Sequence, residues 1–426
     1  MTQRLHELRR SLLVSLWFML LTFPIMVIRV NTITGTIRWR WANLALIGIG
    51  SFLISVVWRY AMQRKTGEVR ATGVLAQVGE RLGAGAERFR TLVDSPKVRV
   101  RLVSGLLAAA VAYPFLTSMY HTNIMITALT YVVLGLGLNI IIGLGGMLHI
   151  GYAAFYAIGA YSYALLNMYF GINFWLALPI GAALAGLFSL LIGLPTLRLR
   201  GDYLAIVTLA FAEITRLVLQ NWQEVTGGAA GIPNIPRPQL FGMTMRLQQT
   251  TTFVYFIMLA VVILTIFVVH RLENSRIGRQ WVAMKEDYIA CQAMGVSIAK
   301  AKLTALGIGA IWGGLVGVIF AARTTFINPA SFTVWESVII LSTVVLGGMG
   351  SIPGVFVGAL VLMLLPEYLR PFAQYRMLIF GALLVTMMVF RPGGFIKKRR
   401  KAYTISDEER QSVIENDVAA ADETKE

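Results

Sequence analysis

Of 426 residues, 57% are hydrophobic and only 14% are charged, with a formal net charge of +17. A soluble domain carries about a quarter charged residues, and here the basic residues gather at the ends of apolar runs, so a water-soluble fold and a nucleic-acid-binding stripe are both excluded. The single cysteine, Cys291, rules out an internal disulfide or thiolate cluster, and four scattered histidines offer no pair at ligand spacing, so no metal site is expected.

Apolar runs of roughly the 20 residues needed to cross a bilayer recur along the chain. They fall near 11–30, 41–58, 102–118, 122–145, 150–170, 173–195, 203–220, 252–270, 303–322, 333–349, 352–366 and 374–391. The pattern predicts an all-α polytopic membrane protein, because the short alternating stretches of a β-barrel are absent. The run from Leu12 to Val30 is too long for a signal-peptide core and lacks a small-residue cleavage site, so it reads as a first transmembrane helix, kinked at Pro24. Residues 1–58 therefore form an N-terminal helix pair. Residues 59–101 follow as a basic loop with ten Lys/Arg against four Asp/Glu, and belong in the cytoplasm. The pentad Lys397–Lys401 places the C-terminus on the same side, and "MTQRLHELRR" the N-terminus. The acidic tail after Ala402 has the composition of a disordered segment.

Within the remaining core, 102–396, "GLGLNIIIGLGGMLHIGYAA" predicts helices broken near Gly143–Gly151, with Asn139 and His149 in internal hydrogen bonds. The segment Gly201–Asn221 carries Glu213, Arg216 and Gln220 on one helix face. Charges inside a span mark a functional candidate, and the competing reading is a pair that fixes the depth of the helix at the outer interface. Asp202 reads as a capping group, and Thr208 is either a pathway hydroxyl or bonded back to its own helix. Asn139, Thr208, Glu213 and Arg216 are thus the pathway candidates. The Gly/Pro-dense stretch Asn221–Gly242 reads as ordered turns on the outer side. Gly309, Gly313 and Gly317, and likewise Gly350, Gly354 and Gly358, recur every four residues and predict close helix packing. Glu336 is a second acid at a membrane entrance.

Between two apolar runs lies a polar insert, "RQWVAMKEDYIACQAMGVSIAKAK". Val282, Ile289, Ala293 and Val296 recur at near-helical intervals, so a short amphipathic helix is expected, with Gly295 ending it and Ser297 capping the next. Such a helix on the cytoplasmic side suits docking into a groove of another protein. The sequence has no G-x-x-x-x-G-K-[ST] phosphate loop, no nucleophile elbow and no H-E-x-x-H, so a non-enzymatic transport pathway is expected.

The stretches "RLRGDYLAIVTLAFAEITRLVLQN", "EVTGGAAGIPNIPRP", "EDYIACQAMGVS", "VVLGGMGSIPGVFVGA" and "RPGGFI" closely resemble the LivM-type permease subunits of bacterial branched-chain amino-acid ABC importers, over about 101–396. The resemblance implies a permease core of about ten helices with two extra N-terminal transmembrane helices, in the bacterial inner membrane. It implies a LivH-like second permease subunit, two cytoplasmic ABC ATPase subunits that bind the ATP, and a periplasmic amino-acid-binding protein, with no cofactor on this chain itself. It assigns the ATPase-coupling role to about 279–297, with Ala290, Cys291 and Gly295 at motif positions. Ile289 stands where the wider importer pattern has Glu, and Glu286 and Asp287 lie just upstream. Permeases for urea, short amides or other small solutes share much of this pattern. A secondary transporter without ATP is the reading from a different class.

Overall fold

The computed structural model describes residues 96–199, 201–239, 246–372, 376–391 and 393–396, together with two strands and scattered positions between 12 and 55. The basic loop up to residue 95, Pro24, the Lys397–Lys401 pentad and the acidic tail lie outside the described residues. Two compact units are present, Met1–Gly105 and Leu106–Glu426.

In the first unit, strands β1 (Ile28–Val30) and β2 (Ile37–Trp39) pair antiparallel, with Ile28 opposite Trp39. The first helix expected over 11–30 therefore overreached at its end: β-branched and aromatic residues make a short hairpin there. Ser15 donates its hydroxyl to the Gly48 carbonyl at 2.7 Å, so the two N-terminal apolar runs touch.

The second unit is a helix bundle. Its helices are α1 (Pro96–Leu116, beginning in the first unit), α2 (Met119–Asn139), α3 (Ala153–Phe170), α4 (Phe174–Thr196) and α5 (Asp202–Asn221). Next come α6 (Leu247–Glu273), α7 (Arg276–Glu286), α8 (Tyr288–Ala293) and α9 (Ile298–Thr324). The chain ends on α10 (Val334–Gly347), α11 (Ile352–Tyr368) and α12 (Arg376–Phe390). Five helical stretches among the described residues are long and apolar enough to cross a membrane, including α4, α6 and α9. The protein is a polytopic all-α membrane protein.

The core is α2 and α9. Helix α9 packs on α4, α3 and α2, and α2 in turn on α11, α6 and α10. Apolar burial drives little association in lipid, so close backbone approach has to supply the contact. It does so through glycine. A Cβ at Gly317 would lie 2.3 Å from the Tyr156 carbonyl, one at Gly309 2.6 Å from the Ile141 side chain, and one at Gly159 2.0 Å from the Gly314 carbonyl. The second expected stripe needs correction. Gly354 and Gly358 do lie on α11 against α10, whereas Gly350 sits outside any helix with φ +85°, a left-handed conformation that a side chain would strain.

The expected break is present. Helix α2 runs on into a π turn at Ile140–Leu144, and irregular backbone then continues to α3. The freed amides are met from neighbouring helices: Ile150 N–H donates to Thr208 Oγ1 at 3.1 Å and Ala153 N–H to Ser337 Oγ at 2.9 Å. That is how non-helical backbone survives inside such a bundle.

Candidate functional site

The polar insert is two helices rather than one. Ser275 opens α7 by accepting from Gly278 N–H at 3.1 Å. The helix then breaks at Asp287, whose carboxylate accepts from the backbone N–H of Ile289 at 2.8 Å and Ala290 at 3.0 Å and so starts α8. An Asp whose side chain mimics a helical turn competes with helix continuation, which explains the break. Helix α8 ends at Gly295, φ +79°, with Val296 N–H on the Cys291 carbonyl and Gly295 N–H on that of Gln292, the paired bonds of a Schellman turn. Ser297 occupies the N-cap position of α9 without a side-chain bond. Asp202 is likewise no cap, because Gly201 holds that position and Asp202 is the first helical residue.

The buried face of the insert also differs from the expected stripe. Trp281, Met284 and Cys291 face inward. Ile289 and Met294 are 75% and 83% exposed, and Ala293 is exposed with them. Trp281 is fully buried and donates its indole N–H to the Ala301 carbonyl at 3.0 Å, which fixes α7 to α9. Two lysines tie the insert region to the bundle. Lys285 Nζ donates to the Gly143 carbonyl in the π turn at 2.8 Å. Lys302 Nζ donates to the carbonyls of Leu197 and Leu199, both at 2.9 Å, and closes the end of α4. Of the residues assigned to coupling, Cys291 is buried, Asp287 and Gly295 shape the backbone, and Glu286 and Ala290 are exposed.

Near the π turn, Asn139 Oδ1 accepts from Gly350 N–H at 2.8 Å, while its Nδ2 lacks a partner among the described residues. His149 is buried against Tyr152 and Phe155 with Nδ1 unpartnered, so the internal hydrogen bonds expected of these two are incomplete. Thr208 is 1% exposed and bonded to Ala205 and Ile150. On α5, Arg216 Nε donates to Glu213 at 3.0 Å and Nη1 to Gln220 at 2.8 Å. The ion pair is half-exposed and closed within its own helix.

A cavity of about 670 Å³ opens at the other end of α9 from the insert. Neither Asn139, Thr208, Glu213 nor Arg216 lines it. Three charged residues line it: Arg323 in the last turn of α9, Glu336 in the first turn of α10, and Arg237, an exposed side chain in the loop before α6. Arg323 donates to Thr127 Oγ1 at 3.0 Å and to the Asn123 carbonyl at 2.9 Å, and Tyr131 donates its hydroxyl to Glu336. Ile126, Val254, Phe320 and Tyr156 supply the apolar wall. The sequence did carry one signal for Arg323, a guanidinium at the end of a 27-residue apolar helix, a place where a charge needs a partner. No group of three or more His, Cys, Asp or Glu side chains suited to a metal ion occurs among the described residues.

Residues 120–389 match the family model described as branched-chain amino acid transport system / permease component. The high-affinity branched-chain amino acid transport system permease protein LivM of Escherichia coli K12 is 40% identical over 385 residues, covering 85% of this chain and 87% of the relative. The probable branched-chain amino acid transport permease protein LivM of Methanocaldococcus jannaschii is 26% identical over 63% of this chain and 91% of its own length. LivH of Escherichia coli K12 is also 26% identical and covers the same shares. No solved structure matches the chain.

Proposed function

This chain belongs to the family of branched-chain amino acid transport permease components, and on that footing we propose that it is one membrane-spanning subunit of an ATP-binding-cassette importer for leucine, isoleucine, valine and related amino acids. A LivH-like chain is its membrane partner, two cytoplasmic ATPase subunits bind and spend the ATP, and a periplasmic binding protein delivers the solute. This chain binds no cofactor and carries no catalytic residue. The Lys/Arg distribution supports an inner-membrane orientation with both termini and the insert in the cytoplasm. In sequence, the N-terminal pair, 1–58, and the basic loop, 59–101, precede the permease core, 102–396, and a basic then acidic tail follows it.

The observation that carries this reading is the construction of the insert. Trp281 and Lys285 tie it to the bundle, Asp287 shapes its own backbone, and it turns Ile289 and Met294 outward. Burying each of those side chains in a partner's groove is worth about 1.5–3 kcal/mol. Glu286 and Ala290 are exposed alongside them, and Cys291 and Gly295 set the helix in place. ATP binding on the partner would then pull the insert, and through it tilt the bundle between outward- and inward-open states.

The test is uptake of radiolabelled leucine into proteoliposomes holding the chain with its co-expressed subunits. Uptake is expected to require internal ATP, and uptake that persists without ATP overturns the importer assignment. The double variant Ile289→Glu, Met294→Glu is expected to insert normally but to lose uptake and solute-stimulated ATPase. Normal stimulation in that variant removes the docking role.

A further inference from the structure

We propose that the cavity walled by Arg323 and Glu336 is a transient binding site for the charged end of a zwitterionic α-amino acid, with the carboxylate toward Arg323 and the ammonium toward Glu336. The proposal rests on the importer reading and names the place where the solute halts inside this chain.

The first support is charge. A cation and an anion in membrane-spanning helices are costly unless they are paired or wet. Arg323 and Glu336 line the same cavity, yet the groups that hold them belong to α2 and not to one another. They are instead held apart by one helix. Thr127 and Asn123 hold the guanidinium, and Tyr131, one turn further along α2, holds the carboxylate. Four residues of α-helix separate Thr127 from Tyr131, about 6 Å along the axis. That spacing leaves room between two opposite charges for a ligand that carries both. A ligand with one charge would satisfy one wall and leave the other exposed to its own desolvation cost.

The second support is shape. About 670 Å³ falls within the range of small-molecule sites, which are mostly apolar with a few placed polar groups. Ile126, Val254 and Phe320 line the same space and suit an aliphatic side chain. Arg323 and Glu336 each keep capacity for a ligand, since a guanidinium has five N–H donors and a carboxylate accepts through two oxygens. The site need not be tight, because a carrier must release what it takes up.

The test uses a thiol placed on the cavity wall, Thr251→Cys, in the purified assembly with its partner subunits. The natural cysteine of this chain, Cys291, is buried, so the introduced thiol is the accessible one on this chain, and its labelling by a small methanethiosulfonate, above that of the assembly without the substitution, reports occupancy. L-Leucine at millimolar concentration is expected to slow labelling at least fivefold. 4-Methylpentanoate, which lacks the ammonium, and isoamylamine, which lacks the carboxylate, are expected to slow it less than twofold. Adding Arg323→Gln or Glu336→Gln is expected to abolish protection by leucine. Equal protection by all three compounds overturns the proposal, as does protection that survives both substitutions. If either substitution prevents assembly, the three-compound series on Thr251→Cys alone still decides. ATP-driven leucine uptake without any protection sinks this site but leaves the importer reading standing, and loss of ATP-driven uptake in the unsubstituted assembly sinks the importer reading itself.

Discussion

Two pairs of opposite charges stand in the apolar helices of this protein, and they are satisfied in opposite ways. Glu213 and Arg216 lie three residues apart on α5, bond each other directly, and are half-exposed. Arg323 and Glu336 lie on different helices, bond to α2 and not to one another, and share a cavity. The first pair is conspicuous in the sequence because its members are neighbours, and for the same reason each already has its counter-charge. The second pair is assembled only by the fold, and that assembly is what leaves both members available to a ligand.

The sharpest way to break this comparison is to neutralise charges in each pair. Hydrogen bonds to a charged group are worth about 1.5–3 kcal/mol, so Arg323→Gln or Glu336→Gln is expected to lower ATP-driven leucine uptake about tenfold or more. An intermediate effect is expected where a fold-assembled charge serves structure alone. Lys302→Met strips the buried amine from the carbonyls of Leu197 and Leu199, costs about 1–3 kcal/mol, and lowers the thermal midpoint of the purified protein by a few degrees. The smallest effect belongs to the self-paired charges. Exposed pairs contribute about 0–1 kcal/mol, so Glu213→Gln with Arg216→Gln is expected to keep uptake within about twofold of the parent. A large loss in that double variant, with little change in Arg323→Gln, would reverse the roles of the two pairs.

The comparison also marks how far the sequence was legible. Runs of apolar residues located the helices well: the run expected at 303–322 is α9, Ile298–Thr324. Glycine located the break after Leu144, near Gly143–Gly151, and the turn at Gly295, because a left-handed or close-packed position leaves a local compositional trace. Asp287 was legible as an acid but not as the residue that divides the insert, since nothing upstream says which of two adjacent acids turns back on its own backbone. Gly350 kept the spacing of a helix stripe while lying outside the helix, because spacing alone carries no information about where a helix starts. Arg323 escaped notice because its partners, Asn123 and Thr127, lie about 200 positions away in sequence. The contact between Tyr131 and Glu336 spans 205 positions in the same way. Periodicity reports local order, whereas a cavity is a long-range object.

Helix α2 has a mechanical consequence. From Met119 to Leu144 it is a single hydrogen-bonded rod of 26 residues, its last turn widened but unbroken. Asn123, Thr127 and Tyr131 stand toward one end of it and hold the two cavity charges, while Gly143 near the other end is gripped by Lys285. Sixteen residues separate Thr127 from Gly143, about 24 Å of helix. A displacement applied to the insert through that lysine therefore reaches the cavity wall as the motion of one stiff lever, without crossing a loop on the way.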